Sequence, residues 1–124
     1  MKILSNRRAA AMAVIFTALL FASFAPVPTA CAETVTKSFA LEIVERVVAG
    51  GVKTLRVQAG DEVTLHWTTD EAVEIHLHGY DIKLKLQPAG KHTMIIEAKI
   101  AGRFPISAHD FGHKNLAYLE VHPK

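Results

Sequence analysis

Short runs in which apolar and polar residues alternate follow one another along residues 33–124, with turn-forming residues between them. Alternation with a period of two puts every second side chain on one face of an extended strand, whereas a helix repeats every three to four residues. The predicted core positions are Phe39, Leu41 and Ile43; Leu55 and Val57; Val63, Leu65 and Trp67; Val73, Ile75 and Leu77; Ile82, Leu84 and Leu86; Met94, Ile96 and Ala98; Phe104 and Ile106; and Ala117, Leu119 and Val121. About seven or eight strands in this length predict an all-β sandwich of two antiparallel sheets.

Two positions refine this prediction. Pro105 cannot donate a ladder hydrogen bond, so its strand is expected at a sheet edge, or with that position unpaired. The core positions carry odd numbers up to Leu77 and even numbers from Ile82 onward. A turn or bulge at Gly79-Tyr80 would produce this change, because it reverses which side chains face the core.

Residues 1–32 have a different character from the rest of the chain. They begin with basic residues, continue with an apolar run over residues 13–25, and end with small residues up to Ala32. This order is typical of a secretory signal peptide, with cleavage after Ala32. Pro26 and Pro28 interrupt the apolar run before the roughly 20 residues that a membrane span needs, so no span is expected after cleavage. The remaining domain is predicted to be periplasmic or secreted.

Removal of the predicted signal peptide changes the charge of the chain. The whole sequence has 14 basic and 12 acidic residues and a formal net charge of +2. Lys2, Arg7 and Arg8 lie in the removed segment, which has no acidic residue, so residues 33–124 carry a net charge of about −1 with neutral histidines. This near-neutral balance offers no basic patch for a phosphate backbone, and nucleic-acid binding is not expected.

The single cysteine, Cys31, lies within the predicted signal peptide. One cysteine cannot form an intramolecular disulfide or a zinc ribbon. An alternative to cleavage after Ala32 is lipid attachment to Cys31, but Pro28 stands where such a signal normally has a branched aliphatic residue. In either case residues 33–124 contain no free thiol, whereas they retain all seven histidines.

Two histidine pairs are the candidates for chemistry. His76 and His78 are two residues apart in a predicted strand, so both imidazoles project from one face and could bind one metal ion or one anionic ligand. The equally weighted alternative is that both are exposed polar residues opposite the core face. His109 and His113 lie in a loop, where their spacing fixes no common direction, and ordinary loop histidines are the simpler interpretation. The remaining histidines are weaker candidates: His66 in a solvated strand position, His92 at the start of the strand of Met94, and His122 in the tail.

Four segments are informative through their order and spacing: VTL at 63–65, EIHLHGYD at 74–81, GRFPI at 102–106 and LAYLEV at 116–121. Together with the export signal they resemble small exported bacterial cupredoxin-like domain proteins, over nearly all of residues 33–124. The resemblance implies a Greek-key sandwich in which a histidine of a middle strand meets the loop between the last two strands. In that topology His76 or His78 would lie near His109 and His113.

The resemblance does not extend to the blue-copper ligands. Blue-copper members of the wider family bind copper through a histidine, a Cys-x-x-His pair and a later methionine. In the matching register this chain has Ala108 at the cysteine position, Phe111 at the following histidine and Leu116 near the methionine. A thiolate-bound site is excluded in any register, because residues 33–124 have no cysteine.

These observations predict an exported cupredoxin-like protein for metal binding or delivery, and not an enzyme. Copper, or alternatively zinc or nickel, would be bound by His76, His78, His109 and His113, since neutral imidazoles suit these ions. Three further side chains could orient an imidazole through its second ring nitrogen: Tyr80, Asp81 and Asp110.

Two other functions remain open from the sequence. One is a metal-free β-sandwich that serves as an interaction or envelope-accessory domain, which the missing family ligands support. The other is a copper enzyme with an imidazole site, for which no acid–base pair or substrate pocket can be identified. The sequence identifies no periplasmic protein partner.

Overall fold

The computed structural model describes residues 23–29 and 33–124. Residues 23–29 have no regular secondary structure. Most of the predicted signal peptide therefore lies outside the described residues, and residues 1–32 as a cleaved segment stay a prediction.

Within the described residues, nine strands and one short 3-10 helix, η1, follow one another along the chain. Their bounds are β1 Thr36–Val44, β2 Val47–Val48, β3 Lys53–Gln58, β4 Glu62–Thr69, β5 Val73–Leu77, β6 Ile82–Leu86, β7 His92–Glu97, β8 Gly102–Ala108, η1 His109–Phe111 and β9 Lys114–His122. One sheet has the order β2-β1-β4-β7 and the other the order β3-β9-β8-β5-β6. The prediction of an all-β, two-sheet sandwich is confirmed.

Each sheet is mixed, which differs from the predicted antiparallel pairing. Strand β1 pairs in parallel with β4 over Thr36–Ile43, and β3 pairs in parallel with β9 over Lys53–Gln58. The expectation of wholly antiparallel sheets is therefore wrong for these two pairs. The reason is that alternation determines which side chains face the core, whereas strand direction depends on how the chain crosses between the sheets.

The core consists of the inward faces of both sheets. Strand β4 shows the predicted alternation most completely, and Val63, Leu65 and Trp67 are fully buried. Some predicted core residues pack only partly buried against this core, namely Phe39, Ile82, Leu84 and Phe104. Ile82 and Leu84 lie on β6, an edge strand, where the facing sheet covers less of each side chain.

Pro105 is expected either on an edge strand or at a position where its nitrogen makes no ladder hydrogen bond. Strand β8 lies between β9 and β5, so the expectation of an edge strand is wrong. The Pro105 carbonyl accepts a hydrogen bond from the backbone N–H of His78 at 3.0 Å, one residue beyond the end of β5. In an antiparallel ladder the nitrogen and the carbonyl of one residue face the same neighbouring strand, which for Pro105 is β5. The pairing with β5 ends at this point, so the absence of a backbone N–H on Pro105 is tolerated.

Candidate metal centre

The turn between β5 and β6 carries the first part of the histidine cluster. Leu77 pairs with Ile82 across this turn, so residues 78–81 reverse the chain and change which side chains face the core, as predicted. Gly79 has a φ of 85° and Asp81 a φ of 54°. Both lie in the left-handed region, which glycine and aspartate adopt more readily than most residues. His78 therefore lies at the rim of the sheet, directly after β5.

Aromatic packing fixes the other side of this turn. A Cβ atom on Gly79 would overlap the Phe104 ring. The Tyr80 ring meets Phe104 edge to face with centroids 4.9 Å apart, and the Tyr80 hydroxyl donates to the Ile100 carbonyl at 3.0 Å. The same hydroxyl accepts from the Ile100 N–H at 3.1 Å. Tyr80 thus anchors the turn to the segment before β8 and does not orient an imidazole.

The second part of the cluster lies between β8 and β9. His109 begins η1, and Gly112 and His113 both have left-handed backbone, with φ of 70° and 57°. The Asp110 carboxylate accepts a hydrogen bond from the Glu74 N–H at 3.0 Å. Asp110 therefore ties η1 to the start of β5, a backbone contact that differs from the imidazole contact predicted for it.

The fold brings the two histidine pairs together. The ring centroids of His76 and His78 are 4.3 Å apart, and those of His76 and His109 are 5.5 Å apart. His78 and His109 are separated by 6.4 Å between centroids, and His109 and His113 by 4.8 Å. His76, His78 and His109 are half-buried, and His113 is exposed.

The other histidines bond elsewhere. His66 Nδ1 lies 3.3 Å from the Thr93 hydroxyl, and His92 Nε2 accepts from the Gln87 N–H at 3.0 Å. His122 Nε2 lies 2.8 Å from a Glu120 carboxylate oxygen. His66 also lines a pocket of about 450 Å³ on the outer face of the four-stranded sheet, to which no ring of the cluster contributes.

Two oxygen atoms contact ring nitrogens within the cluster. Asp81 Oδ1 lies 3.0 Å from His76 Nε2, which is the contact that an orienting role of Asp81 would require; the role itself stays a prediction. Ser107 Oγ lies 2.7 Å from His78 Nε2. Ser107 is only 2% exposed and stands opposite His76 in the pairing of β8 with β5. Sequence reasoning missed Ser107, because no local pattern indicates which strand pairs with β5.

Within the cluster, the surroundings of His78 change the pKa of its imidazole. Burial is the main cause that lowers the pKa of His78 below the ordinary histidine value of 6.5. Positive charge on the neighbouring imidazoles lowers this pKa further, and Asp81 opposes the change; the contributing imidazoles are His76, His109 and His113. Neutral His78, the form that can bind a metal ion, is therefore favoured in the folded protein.

One pair of ring nitrogens has the spacing of two ligands on a single ion. His76 Nδ1 and His109 Nε2 are hydrogen-bonded at 3.4 Å, so a metal ion that binds both nitrogens would replace this bond. Two nitrogen ligands bonded at about 2.0–2.1 Å to a tetrahedral ion are separated by about 3.3–3.4 Å. In the part of the chain that the structure describes, however, no group of three or more His, Cys, Asp or Glu side chains is arranged to hold a metal ion. A complete imidazole site therefore requires further rings to turn toward this pair.

The positions matched to the blue-copper ligands carry apolar side chains. Ala108 and Leu116 are buried at 0% and 1% exposure, and Phe111 is half-buried against the core. The donor atoms of the cluster are thus imidazole nitrogens and carboxylate oxygens, which suit copper(II), zinc and nickel, whereas a thiolate site would need a cysteine, which residues 33–124 lack.

Comparison with known proteins identifies the fold. No protein-family model and no curated protein matches this chain. A multi-copper oxidase from Pseudomonas thermotolerans matches 73% of the chain with a TM-score of 0.57 and 23% identity. The blue copper oxidase of Nitrosomonas europaea matches 72% with a TM-score of 0.59 and 21% identity. The copper nitrite reductase of Nitrosomonas europaea matches 72% with a TM-score of 0.60 and 17% identity.

The sandwich therefore has a cupredoxin-like fold, as the sequence resemblance implied. The match covers only 30%, 39% and 42% of the lengths of those three solved chains, so this chain spans less than half of each. Among residues 23–29 and 33–124, no helix has the length and apolar character needed to cross a membrane.

Proposed function

We propose that the histidine cluster binds a divalent transition metal ion, with copper first and zinc or nickel as alternatives. The observation that carries this proposal is the 3.4 Å separation between His76 Nδ1 and His109 Nε2, which suits two adjacent ligands on one ion. The copper proteins among the fold's structural neighbours favour copper. His78 and His113 are the candidates to complete the site.

The contacts of the cluster support metal binding by rotation of nearby rings. His78 lies 4.3 Å from His76 between ring centroids, and His113 lies 4.8 Å from His109. His113 is exposed, so its ring can turn without displacing core side chains. Three or four imidazoles with one position left for water or a partner's ligand make a chemically reasonable site for these ions.

The proposed role is metal binding or delivery in the periplasm or outside the cell, without catalysis. An imidazole site lacks the thiolate that gives blue-copper centres their electron-transfer properties. A partly exposed set of candidate ligands suits exchange of the ion with a second protein.

A copper(II) titration of the purified protein tests this function. The variants His76→Ala/His78→Ala and His109→Ala/His113→Ala are each expected to weaken binding by at least about tenfold, because each removes two ligands. The matched control is His66→Ala/His122→Ala, which removes two histidines outside the cluster and is expected to bind like the parent. Parental binding by both cluster variants would refute the proposed site.

A metal-free interaction domain is the second candidate function. It is favoured by the lack, among the described residues, of three donor side chains already arranged around one point. Metal analysis of protein purified from the periplasm without an affinity tag separates the two functions. Absence of bound metal together with absence of saturable uptake supports the interaction domain.

A further inference from the structure

The contacts of the His76 ring distinguish its two nitrogens. Asp81 Oδ1 lies 3.0 Å from His76 Nε2. An ionised carboxylate only accepts hydrogen bonds, so Nε2 carries the proton and Nδ1 keeps its lone pair. That lone pair points toward His109 Nε2 at 3.4 Å. Asp81 thus selects the nitrogen that faces the second half of the cluster.

The contacts of the His78 ring leave the same nitrogen free. His78 Nε2 lies 2.7 Å from Ser107 Oγ, and Ser107 is buried on β8 between β9 and β5. A buried hydroxyl at this distance fills the space in front of Nε2, so a metal ion cannot approach that atom while the contact with Ser107 is kept. Nδ1 is the remaining donor of His78.

The backbone brings Asp81 to this position. The Asp81 side chain is 87% exposed, and a hydrogen bond from a neutral imidazole to so exposed a carboxylate contributes little to folding. Its φ of 54° costs conformational energy for a residue other than glycine. The left-handed turn nevertheless brings one carboxylate oxygen, Oδ1, within 3.0 Å of His76 Nε2, although the rest of the side chain is open to solvent.

We infer that Asp81 and Ser107 are positioning residues that make His76 and His78 bind the metal ion through Nδ1, while His109 binds through Nε2. This inference rests on the proposed metal-binding function. Hydrogen bonds to the second nitrogen of a ligand histidine fix its tautomer and ring orientation, and their loss typically costs about 10- to 100-fold in metal affinity.

Imidazole nitrogen NMR of the ¹⁵N-labelled protein with zinc(II) tests the donor atoms directly, because zinc is diamagnetic. The expected spectra show zinc-bound Nδ1 with protonated Nε2 for His76 and His78, and zinc-bound Nε2 for His109. Binding of His76 or His78 through Nε2 would overturn the inference while leaving metal binding intact.

The variants Asp81→Asn and Ser107→Ala test the positioning role. Each is expected to weaken zinc binding by about 10- to 100-fold and to change the tautomer signals of the ring it contacts. Asparagine also tolerates the left-handed backbone, so Asp81→Asn keeps the turn. The matched controls are Asp70→Asn, a carboxylate bonded to the Glu45 N–H, and Ser38→Ala, an exposed serine.

The outcomes separate this inference from the function on which it rests. Parental zinc affinity and parental tautomer signals in both positioning variants would refute the role of Asp81 and Ser107 alone. Absence of zinc and copper binding by the parent protein would refute the proposed function, and the donor assignment with it.

Discussion

His76 Nδ1 and His109 Nε2 lie 3.4 Å apart, although the two residues are 33 positions apart in the chain. The contact exists because β5 pairs with β8: Ala108, the last residue of β8, stands opposite Ile75, so His109 follows beside the first half of β5, next to His76. Asp110 strengthens this arrangement through its bond to the Glu74 N–H. The convergence is thus a property of strand pairing and of one side-chain-to-backbone hydrogen bond.

Metal binding is expected to weaken as the pH falls. Imidazoles must be neutral to coordinate, and the ordinary histidine pKa is about 6.5. Burial keeps the pKa of His78 below this value, so His78 stays available at a lower pH than an exposed histidine. Zinc titrations at about pH 7.5, 6.5 and 5.5 should give progressively weaker binding. A dissociation constant that does not change across this range would contradict imidazole coordination.

The stability of the metal-free protein is expected to fall with pH over the same range. The folded state lowers the pKa of His78, so below about pH 6.5 the unfolded chain binds more protons at this residue than the folded chain. The stability contributed by neutral His78 is fully present above the pKa that this residue has in the unfolded chain. It is lost as the pH falls through the lower pKa that His78 has in the folded protein. Urea unfolding at several pH values measures this, and His78→Gln should reduce the pH dependence. An unchanged pH dependence in that variant would contradict the assignment to His78.

The replacement Gly79→Ala is expected to destabilise the domain more than Gly90→Ala. Both glycines have left-handed backbone, with φ of 85° and 82°, so alanine costs about 1–2 kcal/mol at either position. Only at Gly79 would the added Cβ overlap Phe104, whereas nothing lies within 4 Å at Gly90. Crowding adds about 1–3 kcal/mol, which urea unfolding of the two variants should resolve. Equal losses of stability would contradict the close packing of Gly79 on Phe104.

Loss of the Asp110 carboxylate is expected to weaken metal binding without unfolding the domain. Asp110→Ala removes the bond that ties η1 to β5, so His109 loses its fixed position relative to His76. The expected cost in stability is about 1 kcal/mol. Asp70→Ala is the matched control, because Asp70 makes the same kind of bond to the Glu45 N–H outside the cluster. Zinc affinity that falls equally in both variants would show that the effect is not local.

The copper(II) form is expected to be weakly coloured. Residues 33–124 contain no cysteine, and the intense band of a blue-copper site depends on a thiolate ligand. The visible absorption spectrum of the protein after addition of copper(II) checks this directly. An intense charge-transfer band would show that the ligand set is not the imidazole cluster.

Much of the fold follows from the alternation of side chains. Because successive side chains of a strand point to opposite faces, the odd positions Val63, Leu65 and Trp67 were predictable as core. The change to even numbers at Ile82 likewise predicted the turn after Leu77. Strand direction was less accessible, since β1 can meet the core with the same residues whether it runs parallel or antiparallel to β4.

The amino-acid sequence by itself determined the strands, their inward faces, the absence of a thiolate in residues 33–124, and the four histidines worth considering. Only the tertiary structure decided that His76 meets His109 and that Ser107 contacts His78. The physical reason is separation along the sequence. Side-chain alternation is a local property of the chain, whereas contacts between residues about 30 positions apart depend on which strands pair and in which register.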